Sequence, residues 1–228
     1  MRRSFLHAAA VVSISLATIS GMAQGPLGNI KRVGNDRVIG SARSKVLLKA
    51  RLGQSFALSD FNRDGLVDVA VVDFLSDRVA LYFGDASGGF RAAASLTTGR
   101  GPRSVIAADL NNDGVTDLAI GEFLSGAVRV FIGRGDGRFG NGEAVSLAQG
   151  VSSLVAQDIN GDGSVDLATA NTLSGAIVVL KNWGGSFTPT DVGRVRAPTL
   201  LLSDDVNQDG TQDLVTVDTD GHDVRLFT

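Results

Sequence analysis

The sequence predicts an all-β fold built from one repeated four-stranded unit, and three observations carry that expectation. One acidic loop, Asp-x-Asn-x-Asp-Gly-x-x-Asp, occurs four times, starting at Asp60, Asp109, Asp158 and Asp205. The starts lie 49, 49 and 47 residues apart, a period in the range of one propeller blade or one solenoid turn. Short runs of apolar residues flank every loop, with glycine-rich turns between them, as strands of a half-buried sheet require.

The elements follow in the same order in each unit. A first strand precedes the loop at Phe56-Ala57-Leu58, Val105-Ile106-Ala107, Leu154-Val155-Ala156 and Leu200-Leu201-Leu202. A second strand follows it at Val69-Ala70-Val71, Leu118-Ala119-Ile120, Leu167-Ala168-Thr169 and Leu214-Val215-Thr216. A third spans Val79 to Phe83, Val128 to Ile132, Ile177 to Lys181 and Val224 to Phe227. Glycine-rich turns then reach Phe90, Phe139 and Phe187, and a more polar fourth strand leads into the next unit. Four strands per repeat is the plan of a β-propeller blade.

The loops carry the chemistry. Asp60, Asn62, Asp64 and Asp68 stand at positions 1, 3, 5 and 9, with Gly65 permitting a sharp turn and the Leu66 carbonyl at position 7. The set recurs as Asp109, Asn111, Asp113, Val115 and Asp117, as Asp158, Asn160, Asp162, Ser164 and Asp166, and as Asp205, Asn207, Asp209, Thr211 and Asp213. Hard oxygens at this spacing suit calcium, about one ion per loop and four per chain. Position 12, where a helix-flanked calcium loop carries glutamate, is Val71, Ile120, Thr169 and Thr216. The alternative is a metal-free Asx turn, which the same residues also build. Three carboxylates within nine residues repel one another without a cation or strong donors, and four intact copies favour the ion.

Residues 1–23 read as a secretory leader: Arg2 and Arg3, an apolar stretch from Ala8 to Ile19, then Gly21-Met22-Ala23 as a cleavage site. The expected destination is the cell exterior, its surface or a periplasm, with no membrane span after cleavage. There is no cysteine, so bound calcium takes the stabilising place of disulfides. Without the leader's two arginines, 19 basic residues face 24 acidic ones, and half of those acids are loop aspartates. No basic stripe appears, which argues against nucleic acid. Beyond the leader there is one histidine, His222, and two glutamates, Glu122 and Glu143, too little for histidine-based acid–base or nucleophilic catalysis. No catalytic residue is expected.

These four loops, with Gly-Asp-Gly-Arg-Phe at residues 135–139 and Gly101-Pro102, resemble the FG-GAP or VCBS repeat family, which includes the propeller of integrin alpha chains. The likeness covers Val46 to Phe227. It implies a β-propeller with calcium on its lower rim and a role in adhesion or ligand binding. The expected organisation is a leader over 1–23, a segment over 24–44 and propeller repeats over 45–228. Propellers of this family usually have seven blades, and four repeats are visible here. Lys45 to Ala50 stands where a fourth strand belongs, so the ring closes at four blades, or the chain forms part of a larger ring, alone or by self-assembly.

If the acidic loop joins strands one and two on the lower rim, the turns between strands two and three lie on the upper rim with the connections between repeats. That upper rim gathers Phe74 and Leu75, Phe123 and Leu124, Leu173, and Arg100 and Arg103. It is the expected face for an extracellular protein partner, with a glycan second and a polysaccharide-acting enzyme third. The competing reading folds these apolar residues over the neighbouring blade.

Overall fold

Among the described residues no blade has a core of its own; the forward faces of blades 1, 2 and 3 are covered by the next blade. The computed structural model describes residues 55–228, all strands, turns and loops. The expected leader, the 24–44 segment and the strand at Lys45–Ala50 lie outside these residues. Blade 1 contains β1 (Phe56–Ser59), β2 (Asp68–Asp73), β3 (Arg78–Gly84) and two short outer pieces, β4 (Phe90–Ala92) and β5 (Leu96–Thr97), both paired to β3. Blade 2 is β6 (Pro102–Ala108), β7 (Asp117–Glu122), β8 (Ala127–Phe131) and β9 (Glu143–Ser146). Blade 3 is β10 (Val151–Gln157), β11 (Asp166–Asn171), β12 (Ala176–Trp183) and β13 (Ser186–Arg194). Blade 4 has three strands among the described residues, β14 (Pro198–Asp204), β15 (Asp213–Asp218) and β16 (Asp223–Phe227). Every blade is an antiparallel meander in sequence order.

The strands match the expected runs with small shifts at their ends. The clearest difference is at Phe139, expected to open a fourth strand. It makes only an isolated bridge to Gly133, and its ring packs edge-on against Phe61 at 5.8 Å, so β9 begins later, at Glu143. The first strands start with the same irregularity: a bulge follows Pro102, Val151 and Pro198. An extra residue at the head of a strand bends it and lets the next blade turn away.

The pleat sends alternate side chains to opposite faces, one towards the next blade and one towards the previous. The forward face of blade 1, including Ala70, Val72, Val79 and Leu81, meets the backward face of blade 2, including Val105, Leu118 and Ile120. Blades 2 and 3 pack in the same way through Ala119, Val128 and Val130 against Leu154, Leu167 and Leu180. Blades 3 and 4 do so through Ala170, Ile177 and Val179 against Leu201 and Leu214. The three cores run 1–2, 2–3 and 3–4, and blades 1 and 4 share no such core among the described residues. The described chain is therefore an arc of four blades; closure of one chain at four blades would need a fourth core.

Polar groups stitch the arc where the apolar wedges stop. On the inner strands the Ser55 hydroxyl accepts the Val105 amide and the Ser153 hydroxyl accepts the Leu201 amide, each at 3.2 Å. Ser104 holds the same place in blade 2, buried with its hydroxyl unpartnered. At the far end of each second strand stands a polar residue, Asp73, Glu122, Asn171 or Asp218. Glu122 accepts the Gly99 amide at 2.6 Å and pairs with Arg129, while Asn171 donates to the Ala148 carbonyl. Asp218 accepts the Arg196, Ala197 and Gly221 amides at 3.0 Å each. Three of the four thus reach back into the connection that enters their own blade.

Burial pushes the Asp218 carboxyl up, but the Gly221, Arg196 and Ala197 amides outweigh it and hold its pKa at about 2. A carboxyl depressed below its ordinary 3.8 stabilises the fold above that value and loses the contribution as pH falls towards 2. Asp218→Asn should therefore be less stable than the parent at neutral pH, with the difference shrinking between pH 4 and about 2. Urea unfolding across that window checks this; a pH-independent difference would contradict it.

Candidate metal-binding loops and the opposite rim

The four acidic loops fold alike. In the first, the Asp60 carboxylate accepts the Asp64 amide at 3.1 Å and the Gly65 amide at 2.8 Å. The Asn62 side-chain oxygen also accepts the Asp64 amide, at 2.9 Å, and the Asp64 carboxylate accepts the Leu66 amide at 2.9 Å. The same bonds recur from Asp109, Asn111 and Asp113, from Asp158, Asn160 and Asp162, and from Asp205, Asn207 and Asp209. Such a turn needs left-handed backbone twice. Position 6 is always glycine (Gly65 φ 84°, Gly114 φ 77°), and position 4 is Arg63, Asn112, Gly161 or Gln208, with φ from 59° to 74°. The requirement at position 4 was not expected, although Asn112 and Gly161 there were a signal.

Position 9 has a different part from positions 1, 3 and 5. Asp68, Asp117, Asp166 and Asp213 are all buried. Asp68 accepts the Phe61 amide within the loop and the Gly84 amide at the end of the third strand, both at 2.9 Å. Asp117 takes Leu110 and Gly133 at 2.8 and 2.7 Å, and Asp166 takes Ile159 and Asn182 at 3.2 and 2.8 Å. Each carboxylate thus bolts the loop to a point 16 residues further on. Asp213 takes the Val206 and Asn207 amides at 3.0 and 3.3 Å, and its Oδ1 is buried without a partner.

Among the described residues no three carboxylate or imidazole groups already converge on one point. The donor chemistry nevertheless fits a hard cation. Positions 1, 3 and 5 present side-chain oxygens from one ordered turn, each with a lone pair beyond the one an amide engages. Burial raises the Asp68 carboxyl above its ordinary value, and the charges of Asp64 and Asp60 add to that against the two amides. Asp117 is raised by the same causes, with Asp113 and Asp109 as its neighbours. A divalent cation at the turn would reverse that repulsion. At the surface, amide and hydroxyl donors keep Asp162 and Asp209 below the ordinary value, led by the Ser164 amide and the Thr211 hydroxyl respectively.

The opposite rim divides the expected binding residues into two groups. Leu75, Leu124 and Leu173 are exposed by 72%, 37% and 62%, at the same position in three successive blades. Phe74 and Phe123 are half-buried. Phe74 and Leu124 close from two blades over Gly101, where a Cβ would lie 2.8 Å from Leu124 and 3.1 Å from Phe74. The Arg103 guanidinium lies 4.7 Å from the Phe123 ring centre, and burial lowers its pKa. Arg100 is exposed, its backbone tied to Ser125. A chain of backbone bonds joins this rim: Phe123 donates to Gly101, Gly150 to Phe123 and Thr172 to Gly150, all at 2.8 Å. Both readings of the rim thus hold in part, since the phenylalanines serve blade packing and the leucines face solvent.

Of the groups weighed for catalysis, Glu122 is buried against Arg129 and Glu143 is exposed at the start of β9. His222 sits exposed in the last turn, bonded to the Asp220 carbonyl. Among the described residues no helix is long and apolar enough to cross a membrane.

Residues 60–120, from the first loop to the second strand of blade 2, match the FG-GAP-like repeat family. This stretch is similar to FG-GAP-like repeats. The same loop geometry recurs in blades 3 and 4 beyond the match. No curated protein matches the chain significantly. Among solved structures, BBS1N in complex with ARL6DN matches at 12% identity and a TM-score of 0.52, over 76% of this chain and 55% of that one. An Agrocybe aegerita lectin that recognises non-reducing terminal N-acetylglucosamine matches at 18% identity and a TM-score of 0.53, over 78% and 53%. The chain spans about half the length of either, and the likeness is one of fold.

The two kinds of loop aspartate should separate on mutation. Asp117→Ala strands the buried Leu110 and Gly133 amides and should cost about 3 kcal/mol whether or not calcium is present. Asp113→Ala should lower the melting temperature in calcium and change little in chelator. Thermal melts of both variants in both buffers check this; matching behaviour of the pair would contradict the division.

Proposed function

We propose that this chain is an exported, non-catalytic binding module whose FG-GAP-like blades are held by calcium on one rim and dock an extracellular protein with the other. The observation that carries the reading is the placement of Leu75, Leu124 and Leu173, solvent-facing at equivalent tips, with the blade 2 and blade 3 tips linked through Phe123, Gly150 and Thr172 by backbone hydrogen bonds. Exposed apolar groups in a row on a rigid support suit a protein surface. Arg100 and Arg103 stand beside them and supply charge at the edge of the patch.

Positions 1, 3 and 5 of each loop, with the carbonyls of Leu66, Val115, Ser164 and Thr211, would hold the ion. Calcium supplies positive charge and linkage stabilisation there, and no reaction step. Affinity of the order of 10⁻⁴ to 10⁻³ M, usual for extracellular modules, would fill the loops only after export. A glycan is the second reading, favoured by Trp183, the last residue of β12, exposed by 65% on the loop rim, where it offers a flat ring to a sugar.

Calorimetric titration of metal-stripped protein should give about four ions per chain, one for each loop; a value near zero would leave the loops as Asx turns. For the rim, Leu75→Ser, Leu124→Ser and Leu173→Ser combined should abolish binding to a panel of immobilised extracellular proteins. Calcium-dependent melting should move little. Binding on a glycan array that is lost with Trp183→Ala and kept by the leucine variant would support the second reading instead.

A further inference from the structure

Blades 2 and 4 carry an arginine at the same place in the third strand, Arg129 opposite Ile120 and Arg225 opposite Thr216. Blades 1 and 3 have Ala80 and Val178 there. Val178 packs against blade 2, so this position faces the preceding blade, on the same side of the pleat as the acid that ends the second strand, Glu122 or Asp218. In blade 2 the space is filled. Arg129 pairs with Glu122 and donates to the Gly142 carbonyl, and the Ser125 hydroxyl accepts the Arg100 amide. Gly99 stays bare, because a Cβ there would collide with the Glu122 carboxylate.

Blade 4 is smaller at two of these places. Asp218 stands where Glu122 does, one methylene shorter, and Gly221 stands where Ser125 does. The Asp218 oxygens are taken by the Arg196, Ala197 and Gly221 amides, and Arg225 turns to Asp223 instead. The result is a cleft of about 390 Å³ between blades 3 and 4 on the upper rim, lined by Arg194, Arg196 and Arg225 with Asp218 and Asp223.

The charge in this cleft is unbalanced. Three arginines face two aspartates, and both carboxylates are already engaged. The Arg194–Asp191 and Arg225–Asp223 pairs, at 2.6 and 2.8 Å, are each more than a third exposed, and such pairs are weak enough to rearrange. Arg196 has no ion pair among the described residues, while its backbone is fixed by Asp218. Arg194 also donates to the Ser174 carbonyl at 3.2 Å, in the turn that carries the exposed Leu173, so the cleft adjoins an apolar tip.

We propose that the cleft is a carboxylate site, which seats an aspartate or glutamate side chain of the protein partner while the leucine tips cover apolar surface beside it. This rests on the protein-binding reading of the rim and names the chemistry of the partner. The guanidinium fork matches a carboxylate with two parallel hydrogen bonds. No lining residue is aromatic, so a sugar ring finds nothing to stack on.

Fluorescence anisotropy of a labelled hexaglutamate peptide, titrated with the full chain in calcium at physiological ionic strength, tests the cleft without a whole partner. The parent should bind it. Arg196→Ala should weaken binding at least tenfold, and Arg138→Ala, on the opposite rim, should change it less than twofold. Both side chains are exposed, so melting should not move in either variant. The combined serine variant of Leu75, Leu124 and Leu173 should still bind the peptide, which lets the rim reading and the cleft fail separately. Equal losses in the two arginine variants would reduce the binding to general charge and overturn the proposal, as would no binding by the parent. Arg196-dependent binding of a heparin-derived hexasaccharide, with none of the peptide, would overturn it in favour of a sulfated glycan.

Discussion

Burial between blades is the constraint on which everything else in this protein rests. A single antiparallel sheet has two faces, and neither can be dried by the sheet itself. The chain solves this by packing the forward face of one blade on the backward face of the next, so that Ala119 and Leu167 belong to one core. A fully buried leucine contributes roughly 1.5–3 kcal/mol by leaving water, and each wedge holds several residues of that size. The serines of the inner strands and the acids at the ends of the second strands then add direction to an attraction that has none.

The acidic loops sit on this frame with a division of labour inside a single motif. The position 9 aspartates face inwards and hold backbone, and the first three polar positions face outwards and hold one another's turns. The ordering entropy of the turn is thus met by amide bonds before any ion arrives. Repulsion among the carboxylates remains, and burial of Asp68 and Asp117 adds to it. On the proposed reading, calcium would enter a turn that is already shaped and would relieve this repulsion.

Much of this was legible in the sequence because repetition averages out local ambiguity. Four registers of apolar alternation around four identical loops left little freedom in placing β2, β7, β11 and β15, and the rim on which the leucines fall followed from strand order. Other features could not be read. The role of position 9 depends on an amide 16 residues away, a contact that loop spacing does not encode. The burial of Phe74 and Phe123 depends on how far neighbouring blade tips lean together, which Gly101 and Leu124 settle by close approach. The expected strand at Phe139 failed because its ring had a better partner in Phe61 across the blade boundary.

The three wedges also order the arc in time. Among the described residues blades 2 and 3 each share a core with both neighbours, while blades 1 and 4 each share one with a single neighbour. In an array whose units support only their nearest neighbours, opening starts at the ends and moves inwards. Amide protons of β7 and β11 should therefore exchange slowest, and those of β16, with one strand neighbour and exposed side chains, fastest among the long strands. The middle of the chain is its memory of the fold, and its two ends are where that memory is first lost and last regained.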